Sequence, residues 1–303
     1  MRRRVLLGAA AGLAAAPAAA QGAARERLRR RLADLRLGAN LERWYPIARD
    51  NQPRRLGREW WRGFRAAGFD HARLFIPDVS QTGDSQEVLR LFQQAVEDAV
   101  AMGVPVLLGL ADFFYHSHPW PERYWQALRS RAAFFGPRLD PEHVVLAPIN
   151  EPAFPDTATW LPVRDRLLGE VRRAAPAHLL MWGGREWCSA RSLLEATPPA
   201  DPGTIAEAHD YQAGSPEAVR ARFAPVAAWR ERHGLPVLVS ELGGAEANKQ
   251  NPAALAEDLR QVLPVLRELR LPAALWAYTH GGWWRLQRGD DSAPRPEIRA
   301  ALG

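Results

Sequence analysis

Two glutamates adjoin short apolar runs in this chain: Glu151 in VVLAPINEP, Val144 to Pro152, and Glu241 in PVLVSELGG, Pro236 to Gly244. A merely solvated side chain is not expected just past a buried-looking run and before a Pro or a Gly pair. In a barrel of parallel strands the strand ends face one shared pocket, so both carboxylates are expected to project into one sugar-sized cleft. Such a pair is the minimum equipment for cutting a glycosidic bond.

Positioning the pair requires a frame of strands. Apolar runs of strand length recur eight times: Leu35 to Leu41, His71 to Pro77, Val104 to Ala111, Val144 to Ile149, His178 to Gly183, Thr204 to His209, Pro236 to Ser240 and Ala273 to Thr279. Their starts lie about 25 to 40 residues apart, the length of a strand-plus-helix unit. Between them, Glu87 to Met102 carries Val88, Leu91, Phe92, Ala95, Val96 and Ala99 at three- and four-residue steps, the helical period. Further helices are expected at Arg58 to Ala67, Trp120 to Phe135, Ala158 to Ala174, Pro216 to His233 and Pro252 to Leu269. Ser215 before Pro216, Asn251 before Pro252, and Gly103 and Gly234 after helical stretches mark boundaries. With 303 residues the chain suits one α/β barrel, which needs roughly 250. The expectation is a single (β/α)8 TIM barrel over residues 21–303.

Residues 1–20, MRRRVLLGAAAGLAAAPAAA, have a basic head, an apolar stretch and a small-residue end, and read as an export signal cleaved before Gln21. Arg2, Arg3 and Arg4 ahead of a weakly apolar segment point to the twin-arginine route, and so to a periplasmic or secreted protein without stable membrane insertion. Loss of that segment lowers the formal charge from +6 to +3, which says little about partners. The basic cluster Arg25 to Arg31 lacks interleaved aromatics and reads as a solvated first helix, not a nucleic-acid site. Cys188 is the only cysteine, so the chain is expected to fold without an internal disulfide and to keep an idle thiol.

The remaining chemistry-bearing residues also sit at strand ends: Arg73 in Ala72-Arg73-Leu74-Phe75, His209 and Tyr211 in Glu207-Ala208-His209-Asp210-Tyr211, and Trp276 in Ala274-Leu275-Trp276-Ala277-Tyr278. Together with Asn150-Glu151-Pro152 closing the fourth run and Ser240-Glu241 closing the seventh, they resemble glycoside hydrolase family 5, the cellulase A family, within the clan of retaining barrel glycosidases. The resemblance runs from Gly38-Ala39-Asn40-Leu41 to Trp276. It implies Glu151 as general acid/base and Glu241 as nucleophile, with carboxyl groups about 5 to 5.5 Å apart. It further implies Arg73 beside the nucleophile, Asn150 on the sugar 2-hydroxyl, Tyr211 donating to the nucleophile, His209 lining the cleft and Trp276 under the cleaved sugar. An acid must hold its proton while a nucleophile stays ionised, and a guanidinium beside Glu241 is expected to hold that carboxyl low. The implied partner is a carbohydrate, a β-1,4-glucan or mannan, acted on by a monomer without metal or organic cofactor.

Sugar rings stack on aromatic planes, and among the twelve tryptophans Trp44, Trp120, Trp187, Trp283 and Trp284 are expected in cleft-wall loops. Trp60, Trp61, Trp125 and Trp229 lie in helical stretches and are expected in the core. One departure stands out: the family's third strand usually ends in His, whereas here it reads Leu108-Gly109-Leu110-Ala111-Asp112, with His116 and His118 in the following loop as candidate substitutes. Asp112, His116, His118, His209 and Asp210 are also metal-ligand types, which leaves a metal-dependent amidohydrolase-like barrel as an alternative. A non-catalytic sugar-binding barrel is a third reading.

Overall fold

The computed structural model describes residues 18–41, 56–76, 86–111, 119–279, 283–288 and 292–302. Its elements alternate as the sequence pattern requires: α1 (Ala18–Ala33), β1 (Leu37–Leu41), α2 (Arg58–Ala66), β2 (His71–Phe75), α3 (Gln86–Ala101), β3 (Val106–Gly109), α4 (Glu122–Phe135), β4 (Val144–Ala147), α5 (Thr157–Ala174), β5 (Leu179–Gly183), α6 (Ala190–Leu194), β6 (Thr204–Asp210), α7 (Pro216–His233), β7 (Val237–Leu242), α8 (Pro252–Glu268), β8 (Ala273–Leu275) and α9 (Pro296–Leu302). The eight strands pair in chain order, all parallel, and β1 closes on β8. This is a single (β/α)8 TIM barrel.

Local chemistry fixes the helix ends. Ser215 accepts from Ala218 N and precedes Pro216 at the start of α7, whose last turn is closed by Gly234 in the left-handed region. Asn251 accepts from Ala254 N ahead of Pro252 in α8. Asp156, not singled out from the sequence, caps α5 through Thr159 N at 2.7 Å. Each such cap satisfies a donor that the first helical turn leaves unpaired.

Two bodies make up most of the core. A large one lies between strands and helices and holds Trp61, Trp125 and Trp229, with Trp60 packed against it. A smaller one fills the lower lumen of the barrel with Leu107, Val145, Ala147, Leu179, Met181, Ile205 and Leu238, and it includes Leu28, Leu32 and Leu35. Helix α1 is therefore more than a solvated helix: its leucines plug the barrel floor. Its basic residues are bonded to that floor too, Arg25 to the Pro176 carbonyl at 2.5 Å and Arg27 to Glu142 at 2.6 Å. The helix includes the position before Gln21; Ala18, Ala19 and Ala20 are exposed, and the first buried side chain is Ala24. Among the described residues no helix is long and apolar enough to cross a membrane.

Two strand ends differ from expectation in a way that matters for the site. β7 runs through Glu241 to Leu242, so Glu241 lies in the strand and not past it. β4 stops at Ala147, so Glu151 is carried on the segment beyond. The register between β6 and β7 also slips, Ala208 pairing with Val239 but His209 with Glu241. Ser240 is the extra residue of a bulge, a device that bends a strand and re-aims its side chains.

Candidate active site

A regular strand sends consecutive side chains to opposite faces. The bulge breaks that rule at Ser240 and Glu241, and both reach the barrel interior: Ser240 Oγ donates to Glu207 Oε2 at 2.5 Å, while Glu241 accepts from Arg73. Asn40 on β1 stabilises the irregular backbone, donating from Nδ2 to the Ser240 carbonyl at 2.9 Å and the Ala274 carbonyl at 3.2 Å.

Arg73 on β2 is fully buried and organises the centre. Nη1 donates to Glu241 Oε1 and, at 3.2 Å, to Asn40 Oδ1; Nη2 donates to Asn150 Oδ1 at 2.9 Å and to Glu207 Oε2 at 3.2 Å. The other oxygen of Glu241 accepts from the Tyr211 hydroxyl. Tyr211 gets that close because residue 243 is glycine: a Cβ there would lie 2.4 Å from the Tyr211 ring. Since the guanidinium claims Asn150 Oδ1, Nδ2 of that amide is buried without a partner among the described residues, a donor free to meet a ligand.

Glu151 approaches from the β4 side with φ 44°, a left-handed conformation that costs a non-glycine residue roughly 1–2 kcal/mol and recurs where function fixes the backbone. His209 Nδ1 bridges the two glutamates, 2.9 Å from Glu151 Oε1 and 3.6 Å from Glu241 Oε2. One oxygen of each glutamate and a His209 ring nitrogen all lie within 4.8 Å of one another.

The electrostatics follow from this crowding. Burial opposes charge on His209, yet Glu241, the bond to Glu151 and the nearby Glu207 outweigh it and push the imidazole up to about 10, so it is an imidazolium at neutral pH. Burial raises Glu207 as well, but Arg73, then His209 and Ser240, bring it down to about 2. Glu241 goes the other way: burial and the neighbouring Glu151 hold it above the ordinary carboxylate range against His209, Arg73 and Tyr211. The expectation that Arg73 holds Glu241 low is thus corrected, because the guanidinium is shared with Glu207 and desolvation of Glu241 is the larger effect. Burial, with Glu241 beside it, lifts the Tyr211 hydroxyl well above its usual value, which keeps it a proton donor.

Trp276 directly follows β8 and meets Phe75 edge-on at 6.0 Å; the pair and Ala277 form a small separate cluster with Tyr211 and Trp284 against it. The peptide between Trp276 and Ala277 is cis. Trp284 lies 5.2 Å from Tyr211, while Trp187 and Trp283 are 48% and 47% exposed. Trp120 is not a cleft residue: it is buried against Trp125 at 4.7 Å. Trp44, Asp112, His116 and His118 lie outside the described residues. Ala111, at the end of the third run, is buried and offers no side chain in place of a His.

Among the described residues, two groups are of metal-ligating type: Cys188, Glu207 and His209, and Glu151, His209 and Glu241. Both share His209, whose Nδ1 already bonds Glu151 at 2.9 Å. Asp210, one of the residues offered for the amidohydrolase alternative, is paired with Arg222 at 3.0 Å. Cys188 is free and buried.

The sequence pattern thus located Glu151, Glu241, Arg73, Asn150, His209 and Tyr211, which the fold gathers into one cluster. It overlooked Glu207, Ser240, Asn40 and Phe75. Glu207 carried a signal, since it stands two residues before His209 and shares its strand face.

Similar folds recur among solved structures. The clostridial cellulose synthase subunit Z from Clostridioides difficile matches with a TM-score of 0.72 and 15% identity over 89% of this chain and 99% of that one. A hyperthermophilic endo-beta-1,4-glucanase in complex with substrate gives 0.73 and 18% over 92% and 99%. Thermotoga maritima Cel5A with cellobiose gives 0.73 and 16% over the same shares. No curated protein is close enough in sequence to match. The family model for cellulase, glycosyl hydrolase family 5, matches residues 62–282, a span that takes in every residue of the central cluster except Asn40. The chain belongs to glycosyl hydrolase family 5, the cellulases, and is a glycoside hydrolase.

Proposed function

We propose that this protein is a retaining β-glycosidase acting on β-1,4-linked glucan, with Glu241 as nucleophile and Glu151 as acid/base. The observation that carries the reading is the close approach of the two carboxylates, an oxygen of each within 4.8 Å of the other. That approach is in keeping with the separation of about 5 to 5.5 Å between the carboxyl groups of retaining enzymes, against about 6.5 to 9.5 Å in inverting ones.

In the first step Glu151 gives its proton to the glycosidic oxygen as Glu241 bonds to the anomeric carbon from the opposite face, releasing the leaving sugar and forming a glycosyl ester. In the second, Glu151 takes a proton from water, the water oxygen bonds to the same carbon, and Glu241 leaves as a carboxylate. Two inversions return the β configuration. Arg73, Tyr211 and His209, already aimed at Glu241, hold it for attack and receive its charge on departure. Asn150 Nδ2 donates to the 2-hydroxyl, a bond that strengthens in the oxocarbenium-like transition state, and Trp276 supports the reacting ring. Glucan is preferred to mannan because endo-beta-1,4-glucanase is the activity named for a similar fold.

Export through the amino-terminal segment belongs to the same proposal: Ala18, Ala19 and Ala20 before Gln21 are exposed and the buried residues of the helix begin at Ala24, so cleavage there spares the plug.

A panel of defined β-linked oligosaccharides, with mass spectrometry of enzyme treated with a slow 2-fluoro glycoside, tests the reading. The expected result is hydrolysis of β-1,4 glucans and a covalent sugar on the peptide holding Glu241. Turnover with no adduct, or an adduct elsewhere, would contradict it.

A further inference from the structure

Glu207 is a third carboxylate in the site, and the reaction above gives it no task. It is fully buried on β6, one inward-facing step deeper than His209. Side chains converge on it from several elements. Arg73 Nη2 donates from β2 at 3.2 Å, Ser240 Oγ from β7 at 2.5 Å, and Cys188 Sγ from beyond β5 at 3.8 Å. His209 Nε2 lies 3.5 Å from Glu207 Oε2, an ion pair without hydrogen-bond alignment.

The surroundings are built around this carboxylate. Gly183 is its register partner on β5, and a Cβ there would lie 2.3 Å from Cys188 Sγ and 3.2 Å from Glu207 Cγ. Ser240 reaches it only because of the β7 bulge. Burying a third acid is expensive unless paired, and the pairing here involves both cations of the centre: Arg73 and His209 stand against Glu207 and Glu241, with Glu151 above.

We propose that Glu207 is a positioning residue, clamping Arg73 from below and holding the His209 ring charged and oriented with Nδ1–H towards Glu151 and Glu241. The proposal rests on the acid/base and nucleophile assignments made above. Without Glu207 the imidazolium faces only groups whose charge changes during turnover; with it, one fixed anion keeps the ring protonated through both steps. The groups facing Glu207 are Arg73, His209, Cys188 and Ser240, with Glu241 and Glu151 on the far side of the two cations. Glu207 is one of the groups that hold His209 up at about 10, after Glu241 and Glu151, and His209 is one of those that bring Glu207 down to about 2, after Arg73.

Glu207→Gln keeps the shape and removes the charge. Nitrogen NMR of ¹⁵N-histidine-labelled protein follows the His209 ring directly, alongside kcat, KM and a melting curve. The expected result is loss of the ring proton at lower pH than in the unaltered protein. With it come a fall in kcat on the order of 10- to 100-fold from misplaced groups, little change in KM, and an alkaline limb of the pH–rate profile moved to lower pH. Should Glu207→Gln fail to fold, Glu207→Asp retains the charge one methylene further away; a smaller change in the same direction is then expected. Ring titration and kcat unchanged in a folded variant would overturn the proposal. The NMR reading needs no substrate, so it judges the clamp even if the unaltered protein fails to cut β-1,4-glucan, a failure that falls on the functional reading instead.

Discussion

The floor of the barrel and the charged centre at its mouth around Arg73, Glu207 and His209 are both buried and opposite in character. At the floor Leu28 and Leu32 from α1, with Leu35 just beyond it, close on Leu179, Met181 and Ile205. Two residues further along β6 the inward side chain is Glu207, and two beyond that His209. A histidine in each region registers the difference. His178, entering β5 near the floor, has no partner for either ring nitrogen among the described residues; burial, and then Arg172, push it down to about 4. His209, flanked by three carboxylates, goes up to about 10 against its own burial. Burial alone therefore does not set the charge of a histidine; what faces it does.

The contrast is broken most severely at the mouth. Glu241→Ala is expected to lower hydrolysis about ten-thousand-fold or more, with partial recovery when a small anion such as azide fills the vacated space and gives an α product. Measuring kcat/KM with and without the anion checks this.

Glu151→Ala should cost about 10²- to 10⁴-fold on natural glucan, where the leaving oxygen needs a proton. Bond cleavage in aryl glycosides with an acidic phenol should be spared. A series of leaving groups reads the difference as a slope.

At the floor the same kind of truncation should act on stability alone. Leu32→Ala removes a buried plug side chain, at an expected cost of about 2–5 kcal/mol, with kcat/KM kept at temperatures where the variant is folded. Urea unfolding and kinetics on one preparation separate the two effects.

The smallest expected effect compares the two histidines by pH. His178 is neutral in the folded protein, so the unfolded chain binds more protons between about 4 and 6.5 and stability falls as pH drops through that window. The loss is about 3 kcal/mol at most. His178→Leu should flatten this acid slope. His209 works on the alkaline side: its contribution is full below about 6.5 and is lost as pH rises towards its folded value of about 10.

Much of this contrast was legible in the sequence and part of it was not. Eight apolar runs at regular spacing gave the barrel, because each strand must be buried on both faces and therefore reads as a continuous apolar segment. The strand-end residues gave most of the cluster, because such ends share one pocket. The bulge at Ser240 was invisible: it is a property of pairing between β6 and β7, and no local pattern announces that two consecutive side chains turn inward. Glu207 was hidden by its apolar neighbours in Thr204–Asp210, although its parity with His209 marked it as inward. The plug was legible in the spacing of Leu28, Leu32 and Leu35, but the arginines between them drew the reading towards solvent. Trp120 was misplaced because a tryptophan beside a helix start serves core and cleft equally well in sequence.

Double displacement at Glu241 is the central step of the proposed reaction. Time-resolved proton NMR of a β-1,4 oligosaccharide during the first minutes of cleavage reads the new anomeric centre before mutarotation. The β anomer appearing first is the predicted result; the α anomer appearing first would contradict the assignment of Glu241 as nucleophile.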